Sequence, residues 1–499
     1  MIGVEYASYC FRPQGKHESE MERIKGARDL LGVDYVALKA IQEELQAFLD
    51  SYGYVGIDTP LLEETRLFLR KSGGELASKL YSFTDPGGRE VSLRPEFTAS
   101  VIRVYIEKES ELPLPVRWQY TGPVFRYEQP EVSDYRQFTQ QGVELIGSAG
   151  PLADVETLTL ACRGIQKLGI EGSRLVLGHV GVILGLLNGL GLSDRIKMFL
   201  ANSMGELSKG VEATHHIAEQ IERYGLLAGA DNRQRLGAFL TALDEKEAKA
   251  IVQELLMGAT ESVGSRDTDE IVSRFLRKLK EAAEPEGVER GLTLCGRLSQ
   301  IRGEPKVAIM EVRRLAQEYG LDPAPLDEPA NLVALLAESE LGSTEIVADF
   351  GLTRELAYYT GMVFEIEHKL LSGGPPLCGG GRYDGLVRAL GGSKDVPSLG
   401  FAYTLERLEQ AQAIGGRATV RDEMSSQVLV APINSGAYTG ALRLAESLRE
   451  RGQRVEMGVD QRTLQENMDY AKRCGIAEVI LVREDGQADT YKVLGKGGR

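Results

Sequence analysis

Between residues 78 and 145 the chain alternates short β-leaning segments, SKLYSFTD, EVSLRPEF, VRWQYTGPVFRYEQ and RQFTQQGVELIG, with turns rich in Gly, Pro and Asp. Such a run folds as an antiparallel sheet, and Arg94, Glu96, Arg126, Glu128, Arg136 and Glu144 all fall within its strand-like segments. A sheet face with this many charges is either the floor of a polar-ligand site or a solvated surface. Two-residue alternation places Glu96 and Thr98 on one strand face. A carboxylate beside a hydroxyl suits an ammonium group, although Glu96 can equally pair with Arg94. Arg126 and Glu128 share a face of the next strand. After a turn centred on residues 130–134, Arg136 and Phe138 share a face of the returning strand, which Gln140 and Glu144 continue. Arginine forks suit bidentate phosphate binding, and a phenylalanine face stacks a purine. A plain charged hairpin is the alternative.

Around this sheet the pattern changes. Over residues 36–52, Leu38, Ile41, Leu45, Phe48, Leu49 and Tyr52 recur at helical spacing, with Lys39, Gln42, Glu43 and Gln46 on the other face. Gly53 stops that helix, and an extended run from Tyr54 ends at Pro60. Residues 176–340 read as mostly helical, including DEKEAKAIVQELL and DEIVSRFLRKLKEAAE, with no chemical pattern; they form an inserted helical domain. Strand character returns in IVADFGLTRELAYYTGMVFEIEH. A glycine loop, CGGGRYDGLVRAL, follows, and PSLGFAYTLERLEQA finishes the sheet with a helix containing Glu406 and Arg407. Residues 413–426 read as a linker. The tail alternates strand, helix, strand, helix, strand from QVLVAP to AEVILV, which predicts a small parallel or mixed sheet.

A chain of 499 residues exceeds one core and implies about three domains. With 42% hydrophobic and 26% charged residues it reads as a soluble globular protein. It has no run near the roughly 20 apolar residues of a membrane span and no secretory signal at its start, so a cytoplasmic location is expected. The net charge of −15 argues against a generally basic nucleic-acid binder but leaves room for a local basic groove. Cys10, Cys162, Cys295, Cys378 and Cys474 form no CxxC pair and read as reduced thiols. The histidines fall in no ligand spacing, so no protein-held metal is expected.

Three of these segments, SLRPEFTAS, GPVFRYEQPEVSDYRQFTQQGVELIG and PSLGFAYTLERL, resemble in order and spacing the signature motifs of class II aminoacyl-tRNA synthetases. Helix 36–52 with Pro60 resembles the first motif, a dimerisation element. KGARDLL, SLRPEFTA, YRQFTQQGVELIG, LTRELAYYTGMVFE and CGGGRYDGL resemble the opening, LRPEGTA, YRQFHQxGxExxG, VRGLDYY…VFE and CAGGRYDGL motifs of the histidyl-tRNA synthetase branch. The resemblance covers most of residues 22–410, and the tail is similar to that family's anticodon-binding domain. It implies an α+β fold: an arm over 1–21, a class II antiparallel-sheet core over 22–175 and 341–412 interrupted by the helical insertion 176–340, and an anticodon-binding-like α/β domain over 427–499. That last domain reads as truncated, lacking a final helix.

By resemblance, histidine and ATP, the latter carrying Mg²⁺, react to histidyl-adenylate, and the histidyl group passes to tRNA(His) on a homodimer. Arg126, Arg354 and Arg407 are the implied catalytic residues. Arg126 holds the α-phosphate and Arg407 the distal phosphates, while Glu128 reads the adenine amino group and Phe138 stacks on the ring. Glu96 and Thr98 bind the histidine ammonium group. Gln140, Glu144, Arg354, Tyr358 and Tyr359 complete the histidine pocket, where an imidazole needs both a donor and an acceptor.

The chain departs from the pattern at named positions. Phe97 replaces a glycine and is expected to crowd the strand beside the amino-acid site. Gln129 and Asp134 replace arginines, Glu355 and Ala357 replace Gly and Asp, and Thr404 replaces the glycine of GLERL. The family also contains a non-catalytic paralogue, the regulatory subunit of ATP phosphoribosyltransferase in histidine biosynthesis, and LVLGHVGVILGLL (residues 175–187) resembles that paralogue. The alternative to a ligase is therefore a regulator whose partner is the phosphoribosyltransferase catalytic subunit. A third reading is a free-standing paralogue with another role in translation or sensing.

Overall fold

The computed structural model describes residues 23–70, 73–128, 135–223, 285–339, 341–342, 344–352, 358–371, 374–415 and 427–493. The chain divides into two compact units, residues 42–415 and residues 1–41 with 416–499. The helix predicted over 36–52 runs from Val33 to Ser51, and Leu45 and Leu49 on its apolar face are fully buried.

Along the first unit, β1 (Val55–Gly56) is followed by a small antiparallel sheet of β2 (Leu62–Glu64), β3 (Ser82–Thr84) and β4 (Glu90–Leu93), in the order β2-β4-β3. Then come β5 (Val116–Phe125), β6 (Gln137–Ile146), β7 (Ser173–His179), β8 (Arg302–Gly303), β9 (Glu345–Asp349), β10 (Met362–His368), β11 (Cys378–Arg382) and β12 (Ser398–Thr404). With β1 they make a nine-stranded sheet in the order β1-β5-β6-β12-β11-β10-β7-β9-β8. Its centre is antiparallel, and β1–β5 and β7–β9 are parallel. The predicted hairpin is β5 paired with β6 over ten residues, from Val116↔Ile146 to Phe125↔Gln137.

Four expectations change. Residues 94–97 leave β4, and Thr98 opens a helix, Thr98–Lys108, so Glu96 and Thr98 do not share a strand face. The helix start is served by Glu96, whose Oε1 accepts the Ala99 N–H at 3.0 Å, one of the first-turn donors that have no partner within the helix. Similarly, Arg126 and Glu128 lie just beyond β5, and Arg136 just before β6. CGGGR, expected as a loop, is the buried strand β11 at the centre of the sheet. Its glycines leave neighbouring backbone and side chains close against it, which a turn reading of clustered glycines overlooks.

Residues 176–179, at the start of the stretch expected to be helical, belong to β7, because a short apolar run is ambiguous between helix and strand. Behind β7, the helices Val180–Asn188, Asp194–Asn202, Val211–Arg223 and Pro285–Leu298 share an apolar cluster with helix Pro305–Glu318. The long polar helices predicted between 243 and 284 lie outside the described residues, as does most of the 413–426 linker.

In the other unit, β13 (Gln427–Pro432), β14 (Arg454–Met457), β15 (Glu478–Val482) and β16 (Ala488–Lys492) form a mixed sheet in the order β14-β13-β15-β16. The first three are parallel and β16 is antiparallel, which agrees with the predicted alternation and adds one strand to it. Helix Leu464–Cys474 starts on a capping box made by Thr463 and Glu466.

Candidate active site

One face of the nine-stranded sheet forms the site. Glu144, Gly400, Gly381 and Val363 lie directly opposite one another across β6, β12, β11 and β10, so they share that face. Tyr120 on β5, Phe138 and Gln140 on β6 and Glu365 and Glu367 on β10 have the same parity.

At its centre Glu144 is fully buried. Its Oε1 accepts hydrogen bonds from Thr98 Oγ1 at 2.7 Å and Tyr120 Oη at 3.1 Å, and its Oε2 accepts one from Tyr383 Oη. Burial pushes its carboxyl up to about 8, a rise that the three hydroxyl donors oppose. Gly400 leaves room for this carboxylate, since a Cβ there would sit 1.9 Å from Glu144 Oε2.

Glu96 lies beside it, buried and also raised, chiefly by desolvation. Its Oε1 accepts from the Ala99 N–H at 3.0 Å, and its Oε2 is buried without a hydrogen-bond partner among the described residues. Gln140 Oε1 is buried and unpartnered in the same way. Tyr358 and Tyr359 are buried, and the Tyr358 ring meets Tyr359 and Tyr383 at centroid distances of 4.9 and 5.6 Å. A buried acceptor left unpaired costs free energy. A cationic, hydrogen-rich ligand would relieve that cost at Glu96.

Arg126 stands at the far end of the β5–β6 hairpin. Its Nε donates to the Pro95 carbonyl at 2.9 Å, and its guanidinium carbon lies 5.5 Å from the Phe138 ring centroid. Glu128 is buried, pairs with Lys79 Nζ at 3.3 Å, and its carbonyl accepts from Arg136 Nε. Arg407, on helix Leu405–Ile414, donates to Gln410 Oε1 at 2.9 Å. With Arg174, Glu365, Glu367 and Lys369 it lines a cleft of about 240 Å³. The helix start is anchored by Glu406, whose two carboxylate oxygens both accept the Thr139 N–H at 2.9 Å.

The structure thus brings Glu96, Thr98, Glu144, Tyr358 and Tyr359 together, with Gln140 on the same sheet face, and Arg126 and Phe138 to one end of the hairpin. Arg354, Glu355 and Ala357 lie outside the described residues, as do Gln129 and Asp134. Phe97 does not crowd a strand; it precedes the helix and turns its ring onto Tyr120. Tyr120, Tyr383 and Glu406 were missed. Tyr120 was legible, since it has the strand parity of Gly122 and Val124, but Tyr383 follows a glycine run with no periodic signal.

A family model for histidyl-tRNA synthetase matches residues 26–256 and 225–408. The chain is 31% identical over 470 residues to the histidine--tRNA ligase of Methanococcus maripaludis strain C7, covering 93% of this chain and 92% of that one. It is 30% identical over 474 residues to the histidine--tRNA ligase of Pyrococcus furiosus, covering 93% and 91%. Among solved structures, an ATP phosphoribosyltransferase regulatory subunit/histidyl-tRNA synthetase from Bacillus halodurans shares the fold with a TM-score of 0.61 at 22% identity, covering 93% of this chain and 99% of that one. The apo S. aureus histidyl-tRNA synthetase does so with 0.56 at 22% identity, covering 95% and 97%. The buried carboxylate pocket, the hairpin arginine and the helix carrying Arg407 therefore sit on a class II aminoacyl-tRNA synthetase core, and the chain belongs to the histidyl-tRNA synthetase family.

Proposed function

We propose that the protein is a histidine–tRNA ligase that activates histidine with ATP and transfers it to tRNA(His). The observation that carries this reading is the pair of buried carboxylates, Glu96 and Glu144, in one pocket with an unpartnered oxygen on Glu96. Two buried acids call for a ligand with two nitrogen-bearing groups, and histidine has them. Glu96 takes the ammonium group. Glu144, with its hydroxyl ring, takes the imidazole, and Gln140 and the two tyrosines line the pocket.

In the first step the histidine carboxylate attacks the α-phosphorus of ATP, the bond to the β-phosphate oxygen breaks, and pyrophosphate leaves. The attacking carboxylate is already ionised, so the protein supplies position and positive charge rather than a base. Arg126 holds the α-phosphate above Phe138, which stacks the adenine. Arg407 faces the distal phosphates from its cleft, Glu128 reads the adenine amino group, and Arg354 adds charge near the reacting carboxylate. Mg²⁺ arrives with the nucleotide and spreads the phosphate charge. In the second step a tRNA 3′-terminal hydroxyl attacks the acyl carbon and AMP leaves. The 427–493 layer serves as the tRNA-binding domain. The protein acts as a homodimer through the sheet edge, where β1 and the neighbouring Leu61 and Leu62 expose apolar surface.

The regulator reading rests on the departures at Phe97, Gln129, Asp134, Glu355, Ala357 and Thr404 and on the likeness of residues 175–187. Residues 175–187 have a structural use: Leu175 and Val176 are buried in β7, and His179 Nδ1 accepts the Val182 N–H to start the next helix. Such a structural use is common to both readings, and the ligase is preferred on the pocket and the arginines. Charging of a tRNA(His) transcript with labelled histidine tests the proposal. Label appearing only with ATP present is the expected result. No charging, combined with co-purification with a phosphoribosyltransferase, would replace it with the regulator.

A further inference from the structure

Phe97 stands at the glycine position of the LRPEGTA motif that its segment resembles, and its ring has a close neighbour on each face. The Arg94 guanidinium carbon lies 3.8 Å from the Phe97 centroid, and the Tyr120 ring stacks on it at 4.3 Å with the planes 11° apart. A guanidinium and a ring this close to one centroid must occupy its two faces. Arg94 is itself fixed and buried: its Nε donates to the Pro123 carbonyl at 3.0 Å and its Nη1 to the Thr59 carbonyl at 2.6 Å. The column has room because residue 122 is glycine. A Cβ there would meet Arg94 Nη2 at 2.5 Å and Phe97 Cζ at 3.2 Å. At the far side of the column, the Tyr120 hydroxyl donates to Glu144.

We propose that Phe97 is a positioning residue for the histidine pocket: held between Arg94 and Tyr120, its ring keeps the Tyr120 hydroxyl on the Glu144 carboxylate. The assignment of the pocket to histidine rests on the function proposed above. Phe97 is buried with Arg94 and Tyr120 covering the two faces of its ring, so it acts through Tyr120. An aromatic face restricts the tilt of the ring stacked on it, whereas an aliphatic side chain of similar volume does not. With Tyr120 free to tilt, Glu144 keeps the hydroxyls of Thr98 and Tyr383 and loses its third donor. Glu96, Tyr358, Tyr359 and Tyr383, the other titratable groups that act on this pocket, are present in wild type and variants alike.

The test compares Phe97→Leu, Tyr120→Phe and the double variant of the full chain by histidine-dependent ATP–pyrophosphate exchange. Phe97→Leu should raise the histidine KM about tenfold, the weight of one hydrogen bond to a charged group, with kcat within about twofold and the ATP KM unmoved. In the Tyr120→Phe background, Phe97→Leu should add nothing, because the hydroxyl it positions is already absent. Full multiplication of the two effects, or an equal rise in the ATP KM, would overturn the proposal. A ligand-free readout accompanies this: melting temperature over about pH 5 to 9. Loss of a donor pushes Glu144 further up, so both single variants should lose more stability than wild type at alkaline pH, again without addition. If wild type shows no histidine-dependent exchange, the proposed function fails while the melting comparison still decides the role of Phe97. Should Phe97→Leu not fold, Phe97→Met replaces it, and wild-type values in that variant would contradict the proposal.

Discussion

Thr98 Oγ1 donates a 2.7 Å hydrogen bond to Glu144 Oε1, joining the first turn of helix Thr98–Lys108 to the middle of the sheet floor. One contact thus fixes a buried acid and holds the helix start whose Ala99 N–H donates to Glu96 Oε1. Thr98→Val keeps the shape and removes the donor. It should raise the histidine KM about tenfold while leaving the ATP KM unchanged, as measured by exchange kinetics.

Glu144→Gln separates binding from stability. Burial raises this carboxyl from 4.5 to about 8, so the folded state binds a proton that the unfolded state has released across that window. The resulting stability is present below the lower value and is lost as pH rises through the upper one. The glutamine variant lacks this loss, so its melting temperature should overtake wild type at alkaline pH. Its histidine KM should rise roughly 10- to 100-fold, as expected for loss of a charge-assisted hydrogen bond. Parallel melting curves for the two proteins across pH would contradict the assignment.

Histidine binding should release protons near neutral pH. The free pocket holds a proton on Glu144 below about 8, and an imidazole N–H placed on the carboxylate favours its ionised form. Calorimetry in two buffers of different ionisation enthalpy should show the release, and affinity should climb as pH rises toward that value. A pH-independent affinity with no buffer dependence would count against it.

The hairpin β5–β6 was legible from its sequence because turns and alternation agreed over two ten-residue runs. So was the alternation of the C-terminal layer. The spacing of Glu96 and Thr98 fits a strand, yet the proline at 95 favours a break and the Glu96 carboxylate accepts the Ala99 N–H at a helix start. β11 was hidden because glycines signal turns in sequence and close packing only in three dimensions. Tyr383 reaches Glu144 across 239 positions, a contact that no local pattern encodes.

Glu406→Ala should cost about 1.5–3 kcal/mol of stability, the typical worth of a hydrogen bond to a charged group. Its carboxylate is buried and holds the Thr139 N–H, tying helix Leu405–Ile414 to β6. Because Arg407 follows it directly, the ATP KM should rise with little change in the histidine KM. Denaturant unfolding and exchange kinetics check the two parts separately.

Arg354→Ala should abolish exchange while leaving the melting temperature within about 1 °C of wild type, as expected when a residue serves the reaction and not the core. Near-wild-type exchange would show that its role does not carry over from the family motif.

The most direct measurement for the whole account is histidine-dependent ATP–pyrophosphate exchange by the purified full-length chain. The account predicts exchange that saturates with histidine and that, at subsaturating histidine, falls roughly 10- to 100-fold in Glu144→Gln. A wild-type rate equal to the blank without histidine would contradict it.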